Sequence, residues 1–290
     1  MSNPSAGEKL KEFYKMLLSE LKSGQLTLPP FPEIAIRVRN VMEDPNTNID
    51  DIVRVLKIEP TLSARILQIA NTAAMGGGAD KPIIDLPSAI SRIGLKVVRN
   101  TAITLAMQQI YQNSSSSDFI KENLDILWRH SVDVASISFV LAKKYTNLNP
   151  DEALLAGLLH DIGKLLILDR AEQYPDVFYD SSITAKLLNK LSPEISSSIV
   201  KSWGLGDELS NVAKDHTKLN RNPGEKPDLT DIVLISNMIG MHKESVINAP
   251  INFNEVSLVL NRLSISPDQF TDVVDDIIMD ARILSLSLLE

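Results

Sequence analysis

One histidine of this sequence stands directly beside an aspartate, inside an apolar stretch. His160 and Asp161 belong to Leu158-Leu-His-Asp-Ile-Gly-Lys164. A buried carboxylate is strongly destabilising unless it is paired, liganded or protonated. Both side chains are ligands for divalent metals, and adjacent helix positions lie about 100° apart, so both can lean toward one ion. The pair indicates a metal site or, as spacing alone favours, a core ion pair in which Lys164 neutralises Asp161.

The other three histidines give weaker evidence for a metal site. His130 lies in Leu127-Trp-Arg-His-Ser131, which we expect to form a helix packed against the one bearing His160. His216 follows Lys214-Asp, and His242 is expected at a solvated helix end, where a cation is stabilising. Taken singly, each is more often a core or surface residue than a ligand.

Other chemistries are excluded or unsupported. The sequence has no cysteine, which rules out disulfides, thiolate nucleophiles and cysteine-based metal sites and fits a reducing compartment. It contains neither a phosphate-binding glycine motif nor a Gly-x-Ser-x-Gly nucleophile motif. The glycines at 76–78 lack the strand and the Lys-Ser/Thr of a phosphate loop. The serines at 114–117 and 196–198 are expected in a loop and on a helix surface.

Composition limits the protein class. The 290 residues are 44% hydrophobic and 23% charged, typical of a globular protein with a sizeable core. With 29 basic and 37 acidic residues, the net charge of −8 argues against non-specific binding to nucleic acid or anionic membranes. We find neither a targeting segment nor an apolar run long enough for a membrane span, and expect a cytoplasmic protein.

The hydrophobic pattern is helical throughout, and we predict an all-α fold. Apolar residues recur every three or four positions from Leu10 to Leu21, and further helices are expected from Pro32 onward. One long helix is predicted over 118–145. A helix starting at Asn149-Pro150 is predicted to continue through Leu159 to about Leu168. Two separate helices are predicted over 183–191 and 193–203. Later helices are expected over 207–216, 229–243, 254–263 and 267–289.

Several ordered motifs resemble the HDOD domain, a family of all-helical bacterial signalling proteins. The first half of the resemblance rests on Leu28-Pro-Pro-Phe-Pro-Glu-Ile, residues 52–71 and Ala89–Asn100, and the second on Leu127–Ser131 and Ala153–Lys164. The resemblance implies a multi-helical bundle like that of HD-domain phosphohydrolases, with an N-terminal helical subdomain. We therefore expect a tail and helix over 1–25, the HDOD domain over 26–245 and a helical extension over 246–290. Within the domain, the helical half covers about 26–113 and the HD-like half about 118–245.

Active relatives of the family, including the cyclic-di-GMP phosphodiesterases of the HD-GYP type, hold metal with a His, a His-Asp pair and a later Asp. By resemblance, His130 matches the first ligand, and His160 with Asp161 matches the pair. The later Asp position holds Asn237, while Asp231 lies about a turn and a half earlier. Of the second-metal ligands, one falls near Ser192 and the other, at His216-Thr217, keeps one His.

Three functions remain open. The first is a non-catalytic signalling module that binds a sensor kinase, response regulator or diguanylate cyclase, as the family implies. The second is a metal-dependent phosphohydrolase with a degenerate site, in which Lys164 contacts phosphate and Mn, Fe, Mg or Zn is bound. The third is a nucleotide receptor without hydrolysis. We expect no resident cofactor unless the second is correct, and self-association through the flanking helices stays open.

Overall fold

The regular elements of the chain are all helical in the part that the structure describes, which confirms the predicted fold class. The structure is a computed structural model, and it describes residues 6–72, 82–112, 117–171, 174, 181–222, 224–244 and 253–289. In chain order the helices are α1 (Ala6–Ser23), α2 (Glu33–Glu43), α3 (Ile49–Leu56), α4 (Pro60–Ala70), α5 (Leu86–Ile93), α6 (Leu95–Gln112), α7 (Asp118–Tyr145), α8 (Pro150–Leu159), α9 (Ile162–Ala171), α10 (Ser181–Ser202), α11 (Asp207–Asp215), α12 (Leu229–Glu244), α13 (Phe253–Arg262) and α14 (Phe270–Leu289), with a 3-10 turn at Pro267–Gln269.

Local sequence signals fix several helix ends. Asn48 starts α3 with a reciprocal pair of hydrogen bonds to Asp51, and the Asn149 side chain accepts from the first turn of α8. Gly94 separates α5 from α6 with a φ of +81°, a conformation that a side chain disfavours. The predicted loops at 76–78 and 114–117 lie wholly or largely outside the described residues.

Two helix predictions around the candidate site are wrong. The helix predicted from Pro150 to Leu168 is divided, because α8 ends at Leu159 and α9 begins at Ile162, leaving His160 and Asp161 at the junction. The two helices predicted over 183–191 and 193–203 are instead the single helix α10, which continues through Pro193. Proline removes one donor from the helix, yet the break that it favours does not occur here.

The chain divides into two compact units. The smaller unit, residues 30–113, contains α2 to α6, with α2 packed on α6 and α4 packed on α5 and α6. Its core is apolar and includes Leu56, Leu62, Ile66 and Met107, all of them fully buried. This unit carries none of the four histidines.

The larger unit, residues 1–29 and 114–290, is built around α7. This 28-residue helix packs against α8, α9, α12 and α14, and its buried face runs along most of its length. The apolar core between α7, α8, α12 and the C-terminal helices includes Val134, Ile137, Leu141 and Ile277. None of the described helices is long and apolar enough to cross a membrane.

Both flanking helices pack on this larger unit. Glu20 of α1 accepts from Arg170 at 3.4 Å, near the end of α9. At the other end of the sequence, Lys144 of α7 lies 2.6 Å from Asp280 of α14, and Ser285 of α14 donates to Asp133 at 2.8 Å. These contacts make α1 and α14 parts of the same folded unit as the histidines.

A buried ion network ties the C-terminal helices to α12. The carboxylate of Asp231 is fully buried and accepts from Arg262 through two bonds of 2.7 Å and from Arg221 through one of 2.8 Å. Arg221 also pairs with Asp228 in the loop before α12. Asp231 is therefore bonded to two guanidinium groups, and it serves as a structural carboxylate that joins α12 to α13.

If the ion network stabilises the fold, removing one of its arginines should lower the free energy of unfolding. Replacing Arg262 with methionine (Arg262→Met) leaves Asp231 buried without its bidentate guanidinium partner, and we expect the free energy of unfolding to fall by about 3 kcal/mol. Urea unfolding followed by circular dichroism measures this change. Arg282→Met, which removes the same charge from the exposed face of α14, should change stability by less than about 0.5 kcal/mol. Equal losses in the two variants would show that the network is not stabilising.

Candidate metal centre

Three of the residues singled out in the sequence come together in the larger unit. His130 lies on α7, and His160 and Asp161 lie at the junction of α8 and α9. One ligand atom from each of them lies within 4.8 Å of the others, and all three side chains are buried. Among the described residues this is the group of histidine, aspartate and glutamate side chains that could hold a metal ion. We refer to His130, His160, Asp161, His216 and Asn237 as the histidine cluster.

Two glycines allow the neighbouring helices to approach closely. A Cβ on Gly157 would lie 2.7 Å from the backbone Cα of Ala135 on α7. A Cβ on Gly163 would lie 2.7 Å from two backbone atoms of α10, the oxygen of Ser192 and the nitrogen of Ser196. Both contacts are shorter than real Cβ atoms tolerate, so a side chain at either position would push α7 or α10 away from the His-Asp pair.

The hydrogen bond of His160 sets its tautomer. Its Nδ1 lies 2.6 Å from the carbonyl oxygen of Gly157, an acceptor, so the neutral ring carries its proton on Nδ1 and a lone pair on Nε2. The ring is fully buried, and Nε2 has no hydrogen-bond partner among the described residues. It lies 3.3 Å from Oδ2 of Asp161. A buried lone pair facing a carboxylate is what a cation between them would stabilise.

The carboxylate of Asp161 is surrounded by donors and positive charge. Lys164 Nζ lies 2.5 Å from Oδ2, and Ser192 donates to Oδ1 at 2.8 Å. Burial by itself would raise the pKa of this carboxyl group. The positive charge of Lys164 is the largest opposing effect, and it holds the pKa of Asp161 well below the ordinary value of 3.8. Asp161 is ionised in the folded protein.

Two serines of α10 support the His-Asp junction. Ser196 Oγ accepts from the backbone nitrogen of Gly163 at 2.8 Å and lies 3.3 Å from Ser192 Oγ. The expectation that serines 196–198 form a helix surface is wrong for Ser196 and Ser197, which are buried, whereas Ser198 is partly exposed. The signal that could have identified Ser196 is its four-residue spacing from Ser192, which places both on one face once α10 is continuous.

His216 lies at the end of α11, beside the His-Asp pair. Its ring centroid is 4.9 Å from that of His160, and its Nε2 is 3.7 Å from Oδ1 of Asp161. Nδ1 bonds to the carbonyl oxygen of Ala213 at 3.0 Å, so the lone pair of the neutral ring again faces the carboxylate. Burial lowers the pKa of His216 to about 4, against the opposing attraction of Asp161. The ring is therefore neutral at pH 7.

Asn237, at the expected fourth ligand position, contacts His130. Its Oδ1 lies 3.0 Å from Nε2 of His130, and because an amide oxygen only accepts, that nitrogen carries a proton. While it carries that proton, Nε2 of His130 cannot bind a metal.

The remaining candidates add no metal ligand to the histidine cluster. Asp231 is occupied by its arginines on α12 and α13, and cannot replace the missing carboxylate. His242 falls in the last turn of α12, and its side chain lies outside the described residues. Lys164 contacts Asp161, as the ion-pair interpretation of the sequence expects.

The donor set fits a divalent cation in its chemistry. Nitrogen and carboxylate ligands at this spacing suit Zn, Mn or Fe, and the buried lone pair of His160 is an unused ligand atom. His130, His160 and Asp161 would hold such an ion, with His216 beside them. Nε2 of His130 would become a ligand only on losing its hydrogen bond to Asn237.

The fold and the cluster together define an HD-related helical domain, and comparison with known proteins identifies the family. The HDOD domain family model matches residues 28–219, about two thirds of the chain. The chain belongs to the HDOD family.

Two solved structures share the fold over almost their full length. One, from Shewanella amazonensis SB2B, is named "Putative metal-dependent phosphohydrolase"; it is 27% identical, has a TM-score of 0.79, and the match covers 97% of this chain and 99% of that one. The other is an HDOD domain protein with unknown function from Geobacter sulfurreducens. It is 22% identical, with a TM-score of 0.68 and coverage of 96% and 98%.

One curated relative matches over part of its length. An uncharacterized protein of Treponema pallidum (strain Nichols) is 24% identical over 228 residues, or 73% of this chain. The chain spans 42% of the length of that relative.

The buried ring of His216 predicts a pH dependence of stability. Because its pKa is about 4 in the folded protein and the ordinary value of 6.5 applies to the unfolded chain, the unfolded chain binds more protons between these values. The free energy of unfolding should fall as pH is lowered from 6.5 to 4, with a contribution of about 3 kcal/mol from this group. Asp161 contributes below this window, because its stabilisation is lost only as pH falls below 3.8.

The measurement is urea unfolding of chelator-treated protein at about pH 7 and about pH 4.5. His216→Gln removes the titrating ring, so the loss of stability between these two pH values should be smaller in the variant by about 2 to 3 kcal/mol. An identical loss in both proteins would mean that His216 is not held neutral by burial.

Proposed function

We propose that this chain is a signalling module without hydrolytic activity, which acts by binding another protein. The observation that carries the proposal is the contact between Asn237 and His130, because a neutral amide stands at the position where the resemblance expects an anionic ligand, and its oxygen bonds to Nε2 of the first ligand. HDOD membership supports a signalling role, and the state of the cluster supports a role without catalysis.

The charges of the cluster favour this function. Asp161 is the sole carboxylate of the histidine cluster, and Lys164 already neutralises it. A divalent ion would bring two further positive charges into a buried site with no second carboxylate among the cluster residues, which is unfavourable in a low-dielectric environment. The contacts of Asp161 instead connect the start of α9 to α10 and α11, as a buried polar network that stabilises the domain.

The partner class follows from the family. HDOD proteins generally belong to bacterial signalling circuits, so we propose a sensor kinase, response regulator or diguanylate cyclase as the partner, inside the cytoplasm. The net charge of −8 is consistent with a protein partner rather than nucleic acid.

A metal-dependent phosphohydrolase is the second candidate, and the buried Nε2 of His160 favours it. The name of the Shewanella amazonensis relative agrees with this candidate. A bound divalent metal supplies Lewis acidity and lowers the pKa of a coordinated water. In this chain His160 and Asp161 would hold the ion, and Asn237 would limit the negative charge available to it.

Turnover measurements separate the two candidates. The protein is assayed with Mn²⁺ or Fe²⁺ against bis(4-nitrophenyl) phosphate and cyclic-di-GMP, beside His160→Ala. We expect the same background rate from the wild type and the variant, because the cluster does not offer a complete ligand set. Metal-dependent turnover that disappears in His160→Ala would contradict the proposal and establish the phosphohydrolase.

The fourth ligand position has its own test. Asn237→Asp restores a carboxylate beside His130, and we expect it to raise Mn²⁺ affinity by about tenfold or more, measured by equilibrium dialysis. Asn237→Ala serves as the control, since it removes the amide without adding charge. Unchanged affinity in Asn237→Asp would show that residue 237 is not the position of the missing ligand.

A further inference from the structure

Lys164 and His160 approach the same oxygen of Asp161. Lys164 Nζ lies 2.5 Å from Oδ2, and His160 Nε2 lies 3.3 Å from that atom. The other oxygen, Oδ1, accepts from Ser192. The ammonium group therefore contacts the same carboxylate oxygen that a metal bound between His160 and Oδ2 would share.

We infer that Lys164 is the resident cation of the histidine cluster, and that a divalent metal binds there only when the ammonium group leaves Asp161. This inference concerns regulation of the cluster and rests on the proposed function, in which the cluster is not hydrolytic. It makes Lys164 the residue that sets metal affinity, through charge and without contacting the metal.

The ammonium group has a route away from the carboxylate. The side chain of Lys164 is 18% exposed, whereas that of Asp161 is 3% exposed and that of His160 is fully buried. Lysine has a flexible four-carbon stem, and it keeps its stem buried while the charged end reaches water. A small rotation of the stem in the first turn of α9 would move the charge to the surface.

Simultaneous occupancy is unfavourable. An ammonium and a divalent ion on one carboxylate are like charges a few ångströms apart, and in a buried site water screens their repulsion weakly. The lone pairs of His160 and His216 attract either cation to the carboxylate, so the two cations are alternatives for the same site. The free energy needed to displace Lys164 therefore makes the observed binding free energy of the metal less favourable by the same amount.

Removal of the lysine charge is the test. Lys164→Met keeps the stem and removes the charge, and we expect it to bind Mn²⁺ and Zn²⁺, assayed separately by equilibrium dialysis and elemental mass spectrometry, at least about tenfold more tightly than the wild type. Lys164→Arg keeps the charge and should stay within about threefold of the wild type.

A matched control separates the local charge from the net charge. Lys214→Met removes the same charge from a surface lysine of the same unit, one that lies 3.3 Å from Glu194. Its metal affinity should stay within about twofold of the wild type, because exposed charges are screened. Asp161→Asn in the Lys164→Met background should abolish the gain, since the shared ligand is lost.

Thermal unfolding gives a second readout that does not depend on tight binding. Without metal, Lys164→Met should melt at a lower temperature than the wild type, because Asp161 is left buried without its closest positive charge. Added Mn²⁺ or Zn²⁺ should raise the melting temperature of Lys164→Met more than that of the wild type, since a ligand that binds only the folded state stabilises it.

The inference is overturned if Lys164→Met binds metal no more tightly than the wild type, or if neither protein binds metal at all. Either result leaves the proposed signalling function standing. Metal-dependent turnover by the wild-type protein is the separate result that contradicts the proposed function, whatever the affinity of Lys164→Met.

Discussion

The packing around the histidine cluster depends on the buried carboxylate of Asp161. Asp161 is almost completely removed from water, and an ionised carboxylate in that position must receive positive charge and hydrogen bonds from its surroundings. Lys164 supplies the charge and Ser192 a hydrogen bond, while the two neighbouring imidazole rings face the same group. These partners come from α9, α10 and the end of α11, so their need to meet at one point fixes how these helices pack.

The packing around Asp161 explains features that otherwise oppose helix stability. Glycine lowers helix propensity, yet Gly163 near the start of α9 lets the α10 backbone approach and donates its own N–H to Ser196. Pro193 lies inside α10 between the buried Ser192 and Ser196, whose hydroxyl groups both face the junction. The loss of helix stability caused by Gly163 and Pro193 is offset by the hydrogen bonds that their neighbours make around the Asp161 carboxylate.

Much of the fold follows from the sequence, because helical periodicity and end signals are local. The long helix α7, the capped start of α8 and the bend at Gly94 were all predictable in this way. The division of the helix at His160 and the continuity of α10 were not, because both depend on contacts between residues about 30 positions apart. The meeting of His130 with Asn237, 107 positions apart, was expected only from the family resemblance. Sequence alone did not show whether Asp161 is held by lysine or by metal, because both alternatives use the same residues.

The metal content of the purified, tag-free protein tests most directly whether lysine, rather than metal, neutralises Asp161. Elemental mass spectrometry is combined with thermal unfolding before and after chelator treatment, with His160→Ala as the comparison. The account predicts far less than one metal per chain and a melting temperature that the chelator does not change. Near-stoichiometric metal that is absent from His160→Ala, with a melting temperature lowered by the chelator, would contradict it.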